Sequence, residues 1–268
     1  MKYLFLLTLC IFLFSNCKSL KVVDSAALKM EMIYLHLHEG SPFTGVAADS
    51  LRRMDSYYTK GVLYRQNFYF EDGGISDVCL WKNGTPLWWK TYYKSGLLKQ
   101  YADHRSNTMK VYYETSNLYS EGEFKFSPSY PVGEWIYYFE NGKISAKHHF
   151  KNGDLDGEAI YYYENGNIRE ESYYVDGYRE GECIHYYESG QVMERACYDR
   201  GGLRGDRKTY YENGNIYEEA FHDHQGVYHG EYRKYYQNGG IWKLLNFNHG
   251  SQVGNSVIYN ENGEIISN

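Results

Sequence analysis

A unit of about 24 residues, seen in Gly157 to Glu180 as GEAIYYYENGNIREESYYVDGYRE, recurs almost to the C-terminus. A fixed period of this length marks a repeat architecture, in which no copy buries its apolar face alone and stacking supplies the stability. The marker tyrosines are Tyr57, Tyr92, Tyr112, Tyr138, Tyr162, Tyr186, Tyr210, Tyr235 and Tyr259, spaced by 35, 20, 26, 24, 24, 24, 25 and 24 residues. The first half is therefore irregular and the second nearly periodic. The widest gap holds an extra turn-like piece, Trp81-Lys82-Asn83-Gly84, so the early copies read as degenerate rather than absent.

Each unit reads as a hairpin. Ile160 and Tyr162 lead to Glu164-Asn165-Gly166, followed by Ile168, Tyr174 and Asp176-Gly177. Equivalent turns are Glu140-Asn141-Gly142, Glu188-Ser189-Gly190, Glu212-Asn213-Gly214, Gln237-Asn238-Gly239 and Glu261-Asn262-Gly263. Glycine at the third loop position fits a type I turn closed by a left-handed residue, which pairs Tyr162 with Ile168. Strict alternation then places Ile160, Tyr162, Ile168 and Tyr174 on one face. Ile144, Val192, Ile216, Ile241 and Ile265 fill the position of Ile168, and Phe150, Tyr198 and Phe247 fill that of Tyr174. The expected fold class is all-β, an elongated single-layer antiparallel sheet of stacked β-hairpins that gains roughly 9–10 Å per unit.

The opposite face is expected to carry a second aromatic row, Phe139, Tyr163, Tyr187, Tyr211 and Tyr236, interleaved with Arg169, His185 and Lys234. Such a row is either a binding surface or a set of cross-strand pairs that stiffen a thin sheet. With Trp88, Trp89, Trp135 and Trp242, it supplies the candidate partner-binding residues.

Composition agrees with strands and tight turns. There are 32 Tyr and 27 Gly against 4 Pro, and a tyrosine packs its ring while its hydroxyl stays wet. The net charge is −6, with acids and bases interspersed and no basic cluster to track a phosphate backbone, so no nucleic-acid partner is expected.

At the N-terminus, Lys2 precedes an apolar run from Tyr3 to Phe14, too short to span a bilayer as a permanent helix. The run ends in Leu13-Phe14-Ser15-Asn16-Cys17, which resembles a bacterial lipoprotein box. That resemblance implies lipidation at Cys17, with residues 1–16 as the signal and 17–40 as anchor and lead-in. It implies an envelope lipoprotein held to a membrane through Cys17, with the choice between inner and outer membrane open. A plain signal peptide is the alternative. Degenerate repeats then occupy 41–132 and regular ones 133–268.

Reaction chemistry is sparse. Glu140, Glu164, Glu188, Glu212 and Glu261 recur with the turn, whereas a catalytic group in a repeat array is usually singular. There is no P-loop, dinucleotide fingerprint or HExxH, a thin sheet offers few clefts for paired carboxylates, and neither enzyme activity nor a cofactor is expected. A strand over Met32–His38 would put His36 and His38 on one face without an evident third ligand. A second histidine group, His222 and His224 with His229, falls in the 25-residue unit; it reads as solvated loop histidines and no metal is expected, with a metal site as the lesser alternative. Cys79, Cys183 and Cys197 show no CxxC spacing. Matching parity puts Cys183 and Cys197 on one face, with Cys183 near Glu194 and Cys197 about two residues off.

The pattern YYENGNIxEExxYxDGxxxG resembles the MORN-repeat variant of the bacterial YwqK-type antitoxin family, strongly from Gly133 onward, and Ser41-Pro42-Phe43-Thr44-Gly45 also resembles that family. The resemblance implies stacked hairpins that bind other proteins, a toxin among them. The reading from sequence is a non-enzymatic envelope scaffold that binds a protein partner, with an antitoxin or immunity protein as the alternative.

Overall fold

The structure is a computed structural model that describes residues 45–126 and 129–267. The signal segment, Cys17, the His36/His38 pair and the Ser41–Thr44 stretch lie outside the described residues. Among those described, every regular element is a β-strand, and within each of the two units described below consecutive long strands pair antiparallel.

The described residues divide into two compact units, one up to Asn107 and one from Thr108 onward. The first contains β1 (Gly45–Asp49), β2 (Met54–Thr59), β3 (Val62–Tyr69), β4 (Ile75–Lys82), β5 (Thr85–Tyr92) and β6 (Leu98–Asp103). The turn expected at Asn83-Gly84 joins β4 to β5, with both residues left-handed at φ 51° and 78°. Phe68 stacks on Trp89 with ring centroids 5.7 Å apart, and the Trp89 indole donates to Asp77 at 3.0 Å.

The second unit opens with β7 (Thr108–Tyr112), β8 (Leu118–Lys125), β9 (Tyr130–Tyr138), β10 (Ile144–Lys151), β11 (Asp154–Tyr162) and β12 (Ile168–Val175). It continues through β13 (Tyr178–Arg179), β14 (Gly181–Tyr186), β15 (Val192–Asp199), β16 (Gly202–Tyr210) and β17 (Ile216–His222). It ends with β18 (Tyr228–Tyr235), β19 (Ile241–Asn248), β20 (Ser251–Gln252), β21 (Val257–Tyr259) and β22 (Ile265–Ser267).

The Glu-Asn-Gly turns form as expected. The Gly166 N–H donates to the Tyr163 carbonyl at 2.9 Å, the Tyr163 N–H donates to Asn167 at 2.8 Å, and Gly166 sits at φ 97°. Asn165 suits the middle position because its side-chain oxygen accepts the Asn167 N–H at 2.8 Å. Tyr162 pairs with Ile168, also as expected.

Alternation fails immediately beyond that pair. Tyr161 pairs with Glu170, so Arg169 is an extra residue, a β-bulge that moves every later side chain to the other face. Tyr174 therefore opposes Gly157 and shares its face with Ala159 and Ser172, while Ile160 opposes Glu171 on the other face. Of the expected single face, Ile160, Tyr162 and Ile168 stand together, but Tyr174 lies on the other side. The same bulge recurs at Tyr119, Ser145, Met193, Tyr217 and Trp242.

The core is a row of small residues roofed by long ones. Ala146, Ala159, Cys183, Ala196 and Ala220 are all buried, and on the same face the His148 ring packs between Tyr137 at 4.8 Å and Tyr161 at 4.9 Å. A small side chain at the strand centre lets a neighbouring ring or guanidinium lie flat across it, which gives one layer a dry interior. Trp135, a candidate binding residue, belongs to this core. It is 6% exposed, its indole donates to the Glu123 carbonyl at 2.7 Å, and its ring occupies the space above Gly122.

Candidate functional site

Three features of the second unit could carry function. The first is built on the turn tyrosines. Their hydroxyls reach backbone carbonyls of the following repeat: Tyr113 to Tyr138 at 2.8 Å, Tyr163 to Tyr186 at 2.7 Å, Tyr187 to Tyr210 at 2.6 Å, Tyr211 to Tyr235 at 2.8 Å and Tyr236 to Tyr259 at 2.7 Å. Asn165 and Asn167 add bonds to the Glu188 carbonyl at 2.8 and 2.9 Å. Phe139 occupies the same position without a hydroxyl, and there Lys143 bridges to the Glu164 carbonyl at 2.8 Å. The expected aromatic row thus exists, and it is bonded from repeat to repeat rather than ring to ring.

Toward the C-terminal end, this row meets the bulge residues and forms a patch. Tyr211 packs edge-on against Tyr217 at 5.1 Å, and Tyr236 packs against Trp242 at 6.1 Å. The Lys234 ammonium lies over the Tyr217 ring at 5.0 Å and the Trp242 ring at 5.8 Å, and donates to the Tyr217 hydroxyl at 3.2 Å. Trp242 remains 36% exposed. Three candidate residues, Tyr211, Tyr236 and Trp242, come together here; Phe139, Tyr163 and Tyr187 stand in earlier repeats. Trp88 and Trp89 lie on β5, in the first unit.

Beneath the row runs a chain of alternating charges. Glu170 accepts from Arg179, and His185 Nε2 lies 3.3 Å from Glu170. His185 Nδ1 lies 3.9 Å from Glu194, Arg207 bridges Glu194 at 2.6 Å and Glu218 at 2.9 Å, and Lys234 lies 3.4 Å from Glu218. Burial alone would raise the Glu170 carboxyl, but His185 and Arg179 outweigh it and hold it at about 2. His185 is pushed up to about 10 by the Cys183 sulfur and the Glu170 carboxylate.

Cys183, His185 and Glu170 have the order of a nucleophile, base and orienting acid, with Sγ 3.9 Å from His185 Nδ1. The sulfur is buried, 2% exposed, which shuts a substrate carbonyl out. The sequence-based pairing also needs correction. Cys183 opposes Ala196 and Cys197 opposes Glu182, so the two cysteines lie on opposite faces, displaced by the bulge at Met193. Both are free thiols.

The histidines form the third feature, regrouped relative to expectation. β17 ends at His222, whose buried ring packs on Tyr228 at 4.8 Å, while His224 is an exposed loop residue. His222 and His224 do not share a face. Instead Asp223, His229 and His249 bring ligand atoms within 4.8 Å of one another. His249 was missed by sequence reasoning, although it holds the pre-glycine turn position filled by Asn152, Asp176 and Arg200 in earlier repeats.

The MORN repeat variant matches six stretches, 105–126, 131–152, 155–176, 179–200, 203–224 and 228–249. This chain carries MORN repeats. None of the curated proteins compared with it matches. Among solved structures, it is similar to the TcdB2-TccC3-Cdc42 crystal structure at 12% identity, covering 77% of this chain and 14% of that one with a TM-score of 0.19. It is similar to a Tc holotoxin pore from Photorhabdus luminescens at 12% identity, 77% and 14% coverage and a TM-score of 0.20. Alternansucrase in complex with isomaltononaose gives 13% identity, 78% and 18% coverage and a TM-score of 0.18. The MORN chain thus spans under a fifth of each of these, and scores of that size carry nothing over to it.

Each MORN copy has one further fixed point. Gly133, Gly157, Gly181, Gly205, Gly230 and Gly254 recur at 24 or 25 residues and all have positive φ, from 64° to 119°. The β10–β11 register jumps there, three residues of β11 facing one of β10. Only glycine takes that backbone without strain, which fixes the period in the sequence.

Proposed function

We propose that this MORN chain is a non-enzymatic scaffold that binds a protein partner through the patch of Tyr211, Tyr217, Lys234, Tyr236 and Trp242. The observation that carries the reading is Lys234 lodged between two bulge-position rings, with Trp242 left partly open beside it. Tyrosine and tryptophan give large contact areas at low conformational cost, and aromatic anchors dominate protein interfaces. The cross-repeat hydrogen bonds hold these rings in place before a partner arrives, which lowers the ordering cost of association.

The lipoprotein-like Cys17 would hold this scaffold at the bacterial envelope. The resemblance of the repeats to the YwqK-type family makes a toxin one class of partner. The experiment is affinity capture of tagged, membrane-extracted chain, then binding of the purified partner to wild type and to a Tyr217→Ala/Trp242→Ala variant. A partner lost with the variant, while its circular dichroism stays wild-type, supports the scaffold; a partner retained at full affinity overturns the patch. Relief of growth inhibition on co-production would identify the partner as a toxin. Mass spectrometry of the mature N-terminus tests the anchor, and an unmodified Cys17 would overturn it.

A further inference from the structure

We infer that Asp223, His229 and His249 form a binding site for one divalent transition-metal ion of the zinc class. The ion would clasp the β17–β18 loop to the β19–β20 turn.

The site follows from the one irregular connection in the regular repeats. Elsewhere the second strand of a hairpin returns through a two-residue turn, as at Asn152-Gly153, Asp176-Gly177 and Arg200-Gly201, with both residues left-handed. Between β17 and β18 the extra residue of the 25-residue unit makes a three-residue loop. The Asp223 N–H donates to the Val227 carbonyl at 3.0 Å and the Gly226 N–H to the Asp223 carbonyl at 2.9 Å. Asp223 is 7% exposed, and its Oδ1 accepts the Gln225 and Val227 N–H groups at 2.8 and 3.4 Å. The carboxylate is therefore fixed, with Oδ2 directed at His249 Nδ1, 2.6 Å away.

Each histidine is placed by backbone. His249 is left-handed, φ 44°, in a turn where an ordinary residue would be Asn, Asp or Gly. Its ring centroid lies 4.8 Å from that of His229, whose Nδ1 accepts the His249 N–H at 3.5 Å. The His229 Nδ1 thus faces the same turn. Two imidazoles and one carboxylate within 4.8 Å need only side-chain rotation to reach the separations of about 3.4 Å that a tetrahedral ion with bonds near 2.1 Å imposes. Four of the ten histidines fall within 222–249, and among the described residues no other repeat brings two histidines and a carboxylate together in this way. Nitrogen and oxygen donors of this kind select zinc, cobalt, nickel or copper over magnesium or calcium. His249 is 56% exposed at its side chain, so an ion can enter and a fourth position stays open for water or the nearby His224.

The other possible donor set, Glu170, Cys183 and His185, is less suited. Arg179 already occupies the Glu170 carboxylate, and its guanidinium opposes a second cation.

The test is titration of the purified full chain with zinc by calorimetry and with cobalt(II) by visible absorption. The comparison proteins are His229→Ala, His249→Ala, Asp223→Asn and, as a control, Cys183→Ser. Wild type is expected to bind one ion, and each ligand variant to weaken binding at least about 10-fold while the control does not. Zinc X-ray absorption of the loaded wild type provides a second readout that needs no variant, with two imidazoles (three if His224 takes the fourth position), oxygen donors and no sulfur expected. A Kd weaker than about 1 mM for wild type, unchanged affinity in the histidine variants, or sulfur in the zinc shell would each overturn the site.

Discussion

The Tyr187 hydroxyl donates to the Tyr210 carbonyl at 2.6 Å, so a turn residue of one MORN repeat satisfies the backbone of the next. Repeat arrays gain much of their stability at such junctions. Tyr187→Phe removes only this bond and is expected to cost about 1 kcal/mol, read as a lower urea midpoint. Phe139 supplies the reverse experiment. Phe139→Tyr offers a hydroxyl to the Tyr162 carbonyl and is expected to stabilise by about 0.5–1 kcal/mol. A destabilised Phe139→Tyr protein would show that the brace is not transferable between repeats.

Arg207 joins Glu194 and Glu218, both on the buried side of the sheet, with side chains 20% and 10% exposed. Arg207→Met removes the cation between the two carboxylates and leaves Glu218 to Lys234 and Glu194 to His185. The expected loss is roughly 2–3 kcal/mol, reduced from the range for a fully buried pair because the Arg207 side chain is 27% exposed. Adding Glu218→Gln should recover part of it, a coupling of about 1 kcal/mol in a double-mutant cycle. Strict additivity of the two changes would sever the proposed link.

Much of this was legible in the sequence. The Glu-Asn-Gly spacing identified the three-residue turn and the Tyr162–Ile168 pair, because glycine at a left-handed position leaves few alternatives. What failed was the assignment of faces beyond Arg169. A bulge costs one unpaired residue and has no composition signal when its occupant ranges over Arg169, Met193, Tyr217 and Trp242. One extra residue inverted the faces, separated Cys183 from Cys197 and hid the ion chain through Glu170, Glu194 and Glu218. The His229–His249 approach was hidden differently, by 20 residues of sequence that the β18–β19 hairpin and its following turn fold back on themselves.

The pH dependence follows from His185 and Glu170. His185 rises from an ordinary 6.5 to about 10, so its contribution is complete below pH 6.5 and is lost as pH climbs toward 10. Glu170 falls from 4.5 to about 2, so its contribution is complete above pH 4.5 and is lost as pH drops toward 2. Both are present together between about pH 4.5 and 6.5. The melting-temperature difference between wild type and His185→Asn should be largest in that window and shrink on the alkaline side. A difference constant from pH 6 to 10 would mean that His185 is not held as a cation.

The cysteines test the register itself. Cys79 and Cys183 are buried at 0% and 2% exposure, and burial pushes the Cys79 thiol up to about 12. Cys197 is partly exposed on the face opposite Cys183, where burial and the nearby Glu182 and Asp206 carboxylates raise its thiol. Iodoacetamide labelling followed by peptide mapping should therefore modify Cys197 first. Cys79 and Cys183 should stay protected until the chain unfolds, since the thiolate is the reactive form and must be reached. Mild oxidation of the folded protein should not join Cys183 to Cys197, because their side chains leave the sheet in opposite directions. A Cys183–Cys197 disulfide recovered from folded protein would require Met193 to lie in regular alternation. That would abolish the bulge, return both sulfurs to one face and dismantle the Glu170–His185–Glu194 connection with it.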